Sequence, residues 1–446
     1  MTNRATNPRE KAILALYRIE HDGAYVNAAL KEILSDRSLS RLDRSFVSML
    51  VYGTVKYQRK LDYVLAQYSS VKLKKLSCFV RVILRMGIYQ ILEMDRVPDR
   101  AAVDESVKLA QRYAGRSRGF VNAILRNIVR GKGQLSYPDD RIERLSIRYS
   151  YPDELVRQWI GEYGETFCED LLAAQNRNAP LTVRVNTQRT NITQLQRILE
   201  QERIAADTLP IRDMLALPGA DIAALKSYQE GLFTVQGTSS ALCVQILDPK
   251  ENMRVLDMCA APGGKATYIA ELMHGTGAVL AFDIHAHKLE LVERNAARLG
   301  LSNISVQEHD AAYYMAELDS CADRVLVDAP CSGLGIIRKK PDIKWSFSVE
   351  KQQQLCRLQY QILSTAARYV RPGGELIYST CSLGSLENLD IVHRFLQAQE
   401  SFCGVDISAY LPATLKKETA KEGYISLYPN IDDMDGFFIC KMRRRG

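Results

Sequence analysis

No stretch of this sequence approaches the roughly 18 unbroken apolar residues that a membrane-spanning helix needs, so no membrane partner is expected. The opening residues, Met1–Glu10, are polar and carry no apolar signal core, so a cytoplasmic protein is expected. The ten cysteines form no CxxC pair, and no Cys/His cluster has metal-ligand spacing. A structural or catalytic metal is therefore not expected. In a reducing compartment most of these thiols serve as small core residues. The sequence also lacks internal repeats and low-complexity segments, which leaves out solenoids and disordered linkers.

What is present is an ordinary globular composition. The 446 residues are 46% hydrophobic and 25% charged, enough for two or three domains with their own cores. The net charge of +7 is unevenly placed. Residues 1–150 hold 28 Lys and Arg against 15 Asp and Glu, whereas residues 151–446 hold 31 against 37. A basic third joined to a slightly acidic remainder points to an anionic partner, of which nucleic acid is the usual one. A solubilising surface is the plainer alternative.

The texture divides the chain in three. In residues 1–145 apolar residues recur at helical spacing, as in Ala12, Ile13, Leu16 and Ile19, and again in Phe79, Val82, Ile83, Met86 and Tyr89. This predicts an all-α bundle, with Arg112, Arg116, Arg118, Arg126 and Arg130 in or beside its last helix, over 119–130. Gly131–Gly133 and Pro138 break the pattern. In residues 146–248 helix-like stretches (154–163, 192–201) mix with short strand-like runs (181–185, 231–235), which predicts a small α+β domain. From residue 249 to 446 strand, turn and helix repeat. Strands are predicted over 254–258, 278–282, 304–307, 324–327 and 375–378, with helices over 288–299 and 351–369. That alternation predicts an open parallel α/β sheet of the Rossmann-like kind. Two final runs, 424–428 and 436–442, are predicted as an antiparallel edge pair, and Arg443–Arg445 as a solvated tail.

The segment from Val255 to Lys265 runs from strand through a small-residue turn into a helix. Cys259, Ala260, Ala261, Pro262, Gly263 and Gly264 let a ligand approach the backbone, and the new helix offers free N–H groups. Such a turn can equally hold a dinucleotide, but GxGxxG spacing is absent. Three acids follow successive strands. Asp283 stands where a carboxylate commonly holds a ribose diol, Asp310 can orient an adenine amino group, and Asp328 ends the fourth strand. Each alone can be a helix cap or turn acid. Together they point to a nucleoside-bearing cofactor.

CAAPGGK at Cys259–Lys265, VDAPCSGLG at Val327–Gly335, YSTCS at Tyr378–Ser382 and DGFF at Asp435–Phe438 resemble the RNA cytosine-C5 methyltransferase family over the whole C-terminal domain. Arg338, Pro341, Asp342 and Trp345 also fit that family. The N-terminal bundle resembles the RNA-binding domain of antitermination factors, and the pairing resembles the bacterial members that modify 16S rRNA. The resemblance implies S-adenosylmethionine as cofactor, bound by the 259–265 turn with Asp283, Asp310 and Asp328. It also implies an rRNA partner and a monomeric enzyme.

The chemistry restricts the reacting residues. C5 of cytosine is a poor nucleophile. Addition of a thiolate at C6 turns the ring into an enamine whose C5 attacks a methyl sulfonium. Cys331 and Cys381 each lie just past a strand expected to neighbour the other's, so both thiols can face one pocket. Chemistry alone leaves open which attacks. The resemblance implies Cys381 as nucleophile and Cys331 in the release step, whereas DNA cytosine methyltransferases use the cysteine of a Pro-Cys pair, which Pro330–Cys331 mimics. Asp328 can bond the N3/N4 edge of cytosine, and Lys265 can add positive charge, although a first-turn surface lysine is the bland alternative. Trp345 can stack on substrate or fill a core.

Three rivals differ in class or substrate. An RNA-binding or antitermination protein with a dead methylase fold is disfavoured by the intact cysteines and turn. An amino-group methyltransferase would carry (N/D)PP(Y/F) where this chain has DAPC. A tRNA-directed enzyme of the same chemistry would share the C-terminal half.

Overall fold

The computed structural model describes residues 7–36, 38–219 and 221–446, so the polar start of the chain is described only from Asn7. Two compact units emerge. One comprises residues 1–176 together with Lys339–Ser346, the other residues 177–338 with 347–446.

The first unit is helical, with no strand among its described residues. Side-chain caps set the starts of several helices. Asn7 accepts from the Arg9 amide ahead of Pro8–His21, Ser40 from Asp43 ahead of Arg41–Lys56, and Ser77 from Val80 ahead of Cys78–Glu93. Cys78–Glu93 is the axis of the bundle, with an unbroken buried run from Val82 to Ile91. The last basic helix spans Arg118–Gly131, as its spacing predicts, and buries Val121, Ile124, Leu125 and Ile128. Two further helices, Arg141–Tyr149 and Glu165–Asn176, were not anticipated.

The segment Lys339–Ser346 packs within this unit although its sequence lies between two strands of the other. The Val26 amide donates to Asp342 at 3.2 Å, and the Trp345 indole donates to the Val55 carbonyl at 2.8 Å. Trp345 is half-buried and packs against the core of the helical unit. Lys344 is fully buried with its Nζ 4.0 Å from the Tyr151 ring centre and no hydrogen-bond acceptor. Burial first, then the Lys56 cation, push its pKa well below the lysine range. A lysine depressed in the fold makes stability rise with pH, and that stability is lost as pH falls from the unfolded lysine range, near about 10, through the depressed folded value. Lys344→Met should therefore stabilise the unit at pH 7 by about 1–4 kcal/mol and flatten its gain in stability between neutral and alkaline pH. Urea titrations across pH check this, and a variant less stable at pH 7 would contradict it.

The second unit holds two sheets. The smaller consists of β1 (Leu181–Val185), β2 (Asp207–Thr208), β3 (Met214–Leu217) and β4 (Phe233–Val235), antiparallel in the order β2-β3-β1-β4. Ile192–Gln201 covers it, and Val183, Val185, Leu195, Leu199, Leu215 and Phe233 form its core. This is the expected small α+β fold, with β2 and β3 as additions.

The larger sheet contains β5 (Arg254–Asp257), β6 (Ala278–Asp283), β7 (Ile304–Glu308), β8 (Ala322–Asp328), β9 (Val370–Thr380), β10 (Phe402–Gly404), β11 (Tyr424–Leu427) and β12 (Phe437–Arg444). Its order is β10-β12-β9-β8-β5-β6-β7, with β11 also paired to β12. The strands β5 to β9 are mutually parallel, as expected of a Rossmann-like α/β domain. The last three strands are antiparallel additions, so the sheet is mixed.

Two expectations need correction here. β11 and β12 do pair, but β12 is no edge strand, because it lies between β9 and β10. Its run Phe437–Met442 is buried throughout, as an internal strand covered on both faces must be. Nor is the end of the chain a free tail. Arg443 bonds the buried Glu375 at 2.6 Å, and Arg444 donates to the Val370 carbonyl at 2.6 Å.

Candidate active site

The carboxyl ends of β5 to β9 carry the residues singled out by sequence. After β5 the chain turns through Cys259–Gly263 into the helix Gly264–Leu272. Gly263 has φ near +100°, and a Cβ there would sit 3.0 Å from the Val292 backbone. Glycine is therefore required both by the backbone conformation and by the close approach of the helix Ala286–Leu299.

A cleft of about 370 Å³ opens beside this turn. Cys259, Ala261, Asp283, Asp310, Asp328 and Pro330 line it, with Leu358 and Ile362 supplying an apolar wall. Asp283 accepts from the His285 amide and Asp310 from the Ala312 amide, each at 3.0 Å. The turn-acid role weighed for both residues is thus real, and it fixes carboxylates that also face the cleft. Ala260, by contrast, is buried beneath the turn. Pro262 passes its carbonyl to the Asn295 side chain at 3.3 Å.

Asp328 ends β8 and joins two partners. Lys265 donates to it at 2.5 Å, and Ser379 of β9 donates at 2.9 Å. Lys265 is not a surface residue, since its side chain is 11% exposed. Burial, the largest single influence, lowers its pKa, but the Asp328 charge and hydrogen bond together with Cys243 and Asp257 outweigh it and hold the ammonium above its ordinary value. Asp257, at the end of β5, is a feature the sequence reading missed. It is buried, and burial followed by the Asp328 charge pushes its carboxyl up to about 7.

β8 and β9 are parallel neighbours with Asp328 opposite Ser379. Cys331 and Cys381 follow these two residues, and their sulfurs lie 3.4 Å apart. Both are half-buried. The Cys331 thiol is held well above its ordinary pKa, first by its bond to Cys381 and then by burial.

Behind the cysteines lies a buried carboxylate, Glu387, that sequence reasoning did not find. No motif spacing marks it, because its partners come from three separate stretches of chain.

Elsewhere the structure holds no helix long and apolar enough to cross a membrane and no metal-competent group of His, Cys, Asp or Glu, among the described residues. Arg338 pairs with Asp435 at 3.1 Å and with Asp433. It thereby anchors the stretch that precedes β12.

Three family models match the chain. The NusB family covers residues 6–130, a ferredoxin-like domain of RsmF/B-like methyltransferases covers 151–220, and 16S rRNA methyltransferase RsmB/F covers 244–443. The chain is 35% identical over 446 residues to the probable ribosomal RNA small subunit methyltransferase B of Bacillus subtilis (strain 168), with 99% of both chains covered. It is 32% identical to ribosomal RNA small subunit methyltransferase B of Proteus mirabilis (strain HI4320), covering 88% of this chain and 92% of that one. Among solved structures, the crystal structure of PH0851 matches with a TM-score of 0.84 at 25% identity, covering 98% and 99%.

Proposed function

The chain belongs to the 16S rRNA methyltransferase RsmB/F family, and from that premise we infer that it moves a methyl group from S-adenosylmethionine to C5 of a cytosine in 16S rRNA, through a covalent bond between Cys381 and C6. The observation that carries this reading is the pair of sulfurs 3.4 Å apart beside the Lys265–Asp328 pair. A single buried thiol would suit a core; two at adjoining strand ends suit a reaction with an attack and a release.

The cleft fits the cofactor by its donor set. Asp283 would hold a ribose diol and Asp310 an adenine amino group, while Pro330, Leu358 and Ile362 would wall a flat ring. When bound, the cofactor supplies an electrophilic methyl group. The chain's own residues do the rest. Cys381 attacks C6 as the thiolate, and Asp328, paired with Lys265, holds the N3/N4 edge and supports protonation at N3, so that the adduct forms as a neutral enamine. Cys331 assists the release step, in which a base takes the C5 proton, the C–H pair re-forms the C5–C6 double bond, and the C6–S pair leaves with Cys381 as thiolate.

On this reading residues 1–145 hold RNA through their basic excess. Residues 146–248 form a linking domain that contacts RNA, and residues 249–446 are catalytic. The enzyme acts in the cytoplasm as a monomer.

The test is methyl transfer from labelled cofactor to naked 16S rRNA and, in parallel, to tRNA, followed by nucleoside analysis. Label should appear as 5-methylcytidine in 16S rRNA. Label confined to tRNA would reassign the substrate, and label in any other nucleoside would overturn the chemistry.

A further inference from the structure

Glu387 is fully buried, and no cation pairs with it among the described residues. A lone carboxylate in such a place is costly unless hydrogen bonds replace its water. Here five donors do so. The Ser332 amide donates at 2.8 Å, the Ser332 hydroxyl at 2.5 Å, the Ser382 hydroxyl at 2.9 Å, Gln352 at 3.1 Å and Gln359 at 3.0 Å. A carboxylate offers about four acceptor sites, so these five contacts more than occupy it.

The origin of the donors matters more than their number. Ser332 follows Cys331, and Ser382 follows Cys381. The two hydroxyls also touch each other at 2.7 Å. Gln359 reaches on from Glu387 to the carbonyl of Pro330, the residue before Cys331, at 3.0 Å. One carboxylate thus binds both cysteine-bearing loops from behind. The Tyr378 hydroxyl, on β9, donates to the Glu387 carbonyl at 2.6 Å and fixes the clamp to the sheet. Gly335 tightens the same corner. Its amide donates to the Cys381 carbonyl at 2.9 Å, and a Cβ there would collide with the Gly436 carbonyl.

We propose that Glu387 is a positioning residue that sets the spacing of the Cys331 and Cys381 sulfurs by tying their loops together. This deepens the proposed two-cysteine mechanism and rests on it. Glutamine at this position would present an NH2 group to donors, so at least one of the five bonds must be lost.

The test separates geometry from activity. In the full-length protein, diamide accepts the two thiol hydrogens as the Cys331–Cys381 disulfide forms, and peptide mass spectrometry follows that bond. In Glu387→Gln it should form about tenfold more slowly or worse. Charge alone predicts the opposite, because the Glu387 carboxylate is one influence raising the Cys331 thiol, after the Cys381 bond, burial and the Cys381 charge. Removing that influence frees more thiolate and would speed oxidation. The variant should keep its S-adenosylmethionine affinity within about twofold and its KM for RNA, while kcat falls about 100-fold, the loss expected of misplaced reacting groups. A disulfide rate equal to the wild type's would overturn the proposal. If Glu387→Gln does not fold, the Ser332→Ala/Ser382→Ala pair removes two bonds and spares the carboxylate, and an unchanged rate there overturns it equally. Should the cysteines prove unnecessary for methylation, the two-cysteine mechanism fails, and the disulfide rates still report the clamp.

Discussion

Cys381→Ala should abolish methyl transfer, by about 1,000-fold or more, and should leave no covalent RNA adduct, whereas Cys331→Ala should accumulate one. The difference follows from the order of bonds. Attack at C6 precedes methyl transfer, so without the Cys381 sulfur nothing begins. Removal of the C5 proton and expulsion of the thiol come last. Without Cys331 the attack and transfer proceed and the conjugate stays. The two sulfurs lie 3.4 Å apart, so either could attack, and the assignment of roles follows the resemblance to the RNA cytosine-C5 enzymes. Denaturing electrophoresis with substrate RNA and cofactor checks both variants. An adduct in the Cys381 variant and none in the Cys331 variant would reverse the roles, as in the DNA enzymes that attack with the cysteine of a Pro-Cys pair.

The second large effect is on stability. Arg184 of β1 and Glu271 of the helix behind the cofactor turn are both fully buried and lie 3.1 Å apart. Arg184 also bonds Gln236 and donates to the Gly264 carbonyl at 3.0 Å, and its guanidinium stacks 4.4 Å from the Tyr268 ring centre. Glu271 accepts from the Thr187 amide at 3.0 Å. Arg184 therefore joins the smaller sheet to both ends of the helix Gly264–Leu272, through the Gly264 carbonyl and Glu271. Replacing only Arg184 by methionine strands a buried carboxylate, which should cost about 3–5 kcal/mol. Arg184→Met/Glu271→Leu should recover much of that loss, because no isolated charge remains. Urea denaturation of the two variants measures it. A loss below about 1 kcal/mol in the single variant would mean that solvent or rearrangement rescues the glutamate.

The strand–turn–helix over residues 254–272 was legible in the sequence because its constraints are local. Small residues, a strand before and a helix after leave few alternatives, and Asp283, Asp310 and Asp328 each follow a strand whose pattern is plain. The cysteine pair was legible for a related reason, since two residues just past neighbouring parallel strands must lie close. The misreadings have different causes. Arg141–Tyr149 was lost behind Gly131–Gly133 and Pro138, although its cap was in view: Asp140 accepts from the Glu143 amide at 2.8 Å. β12 was placed at an edge because sequence order alone does not reveal insertion between β9 and β10. The packing of Lys339–Ser346 within the helical unit, with Pro341 and Lys344 buried, carries no periodic signal at all. Glu387 was invisible for the same reason as Asp257. Each acid takes its meaning from neighbours distant in sequence: Asp328 beside Asp257, and for Glu387 the donors at positions 332, 352, 359 and 382.

The most direct test of C5 methylation through Cys381 uses 16S rRNA carrying tritium at C5 of its cytosines. Replacement of that hydrogen by methyl must release tritium to water. The wild-type enzyme should release one tritium for each methyl group transferred, and Cys381→Ala should release none. Methyl transfer with tritium retained in the product RNA would contradict the account, because the methyl group would then stand on another atom.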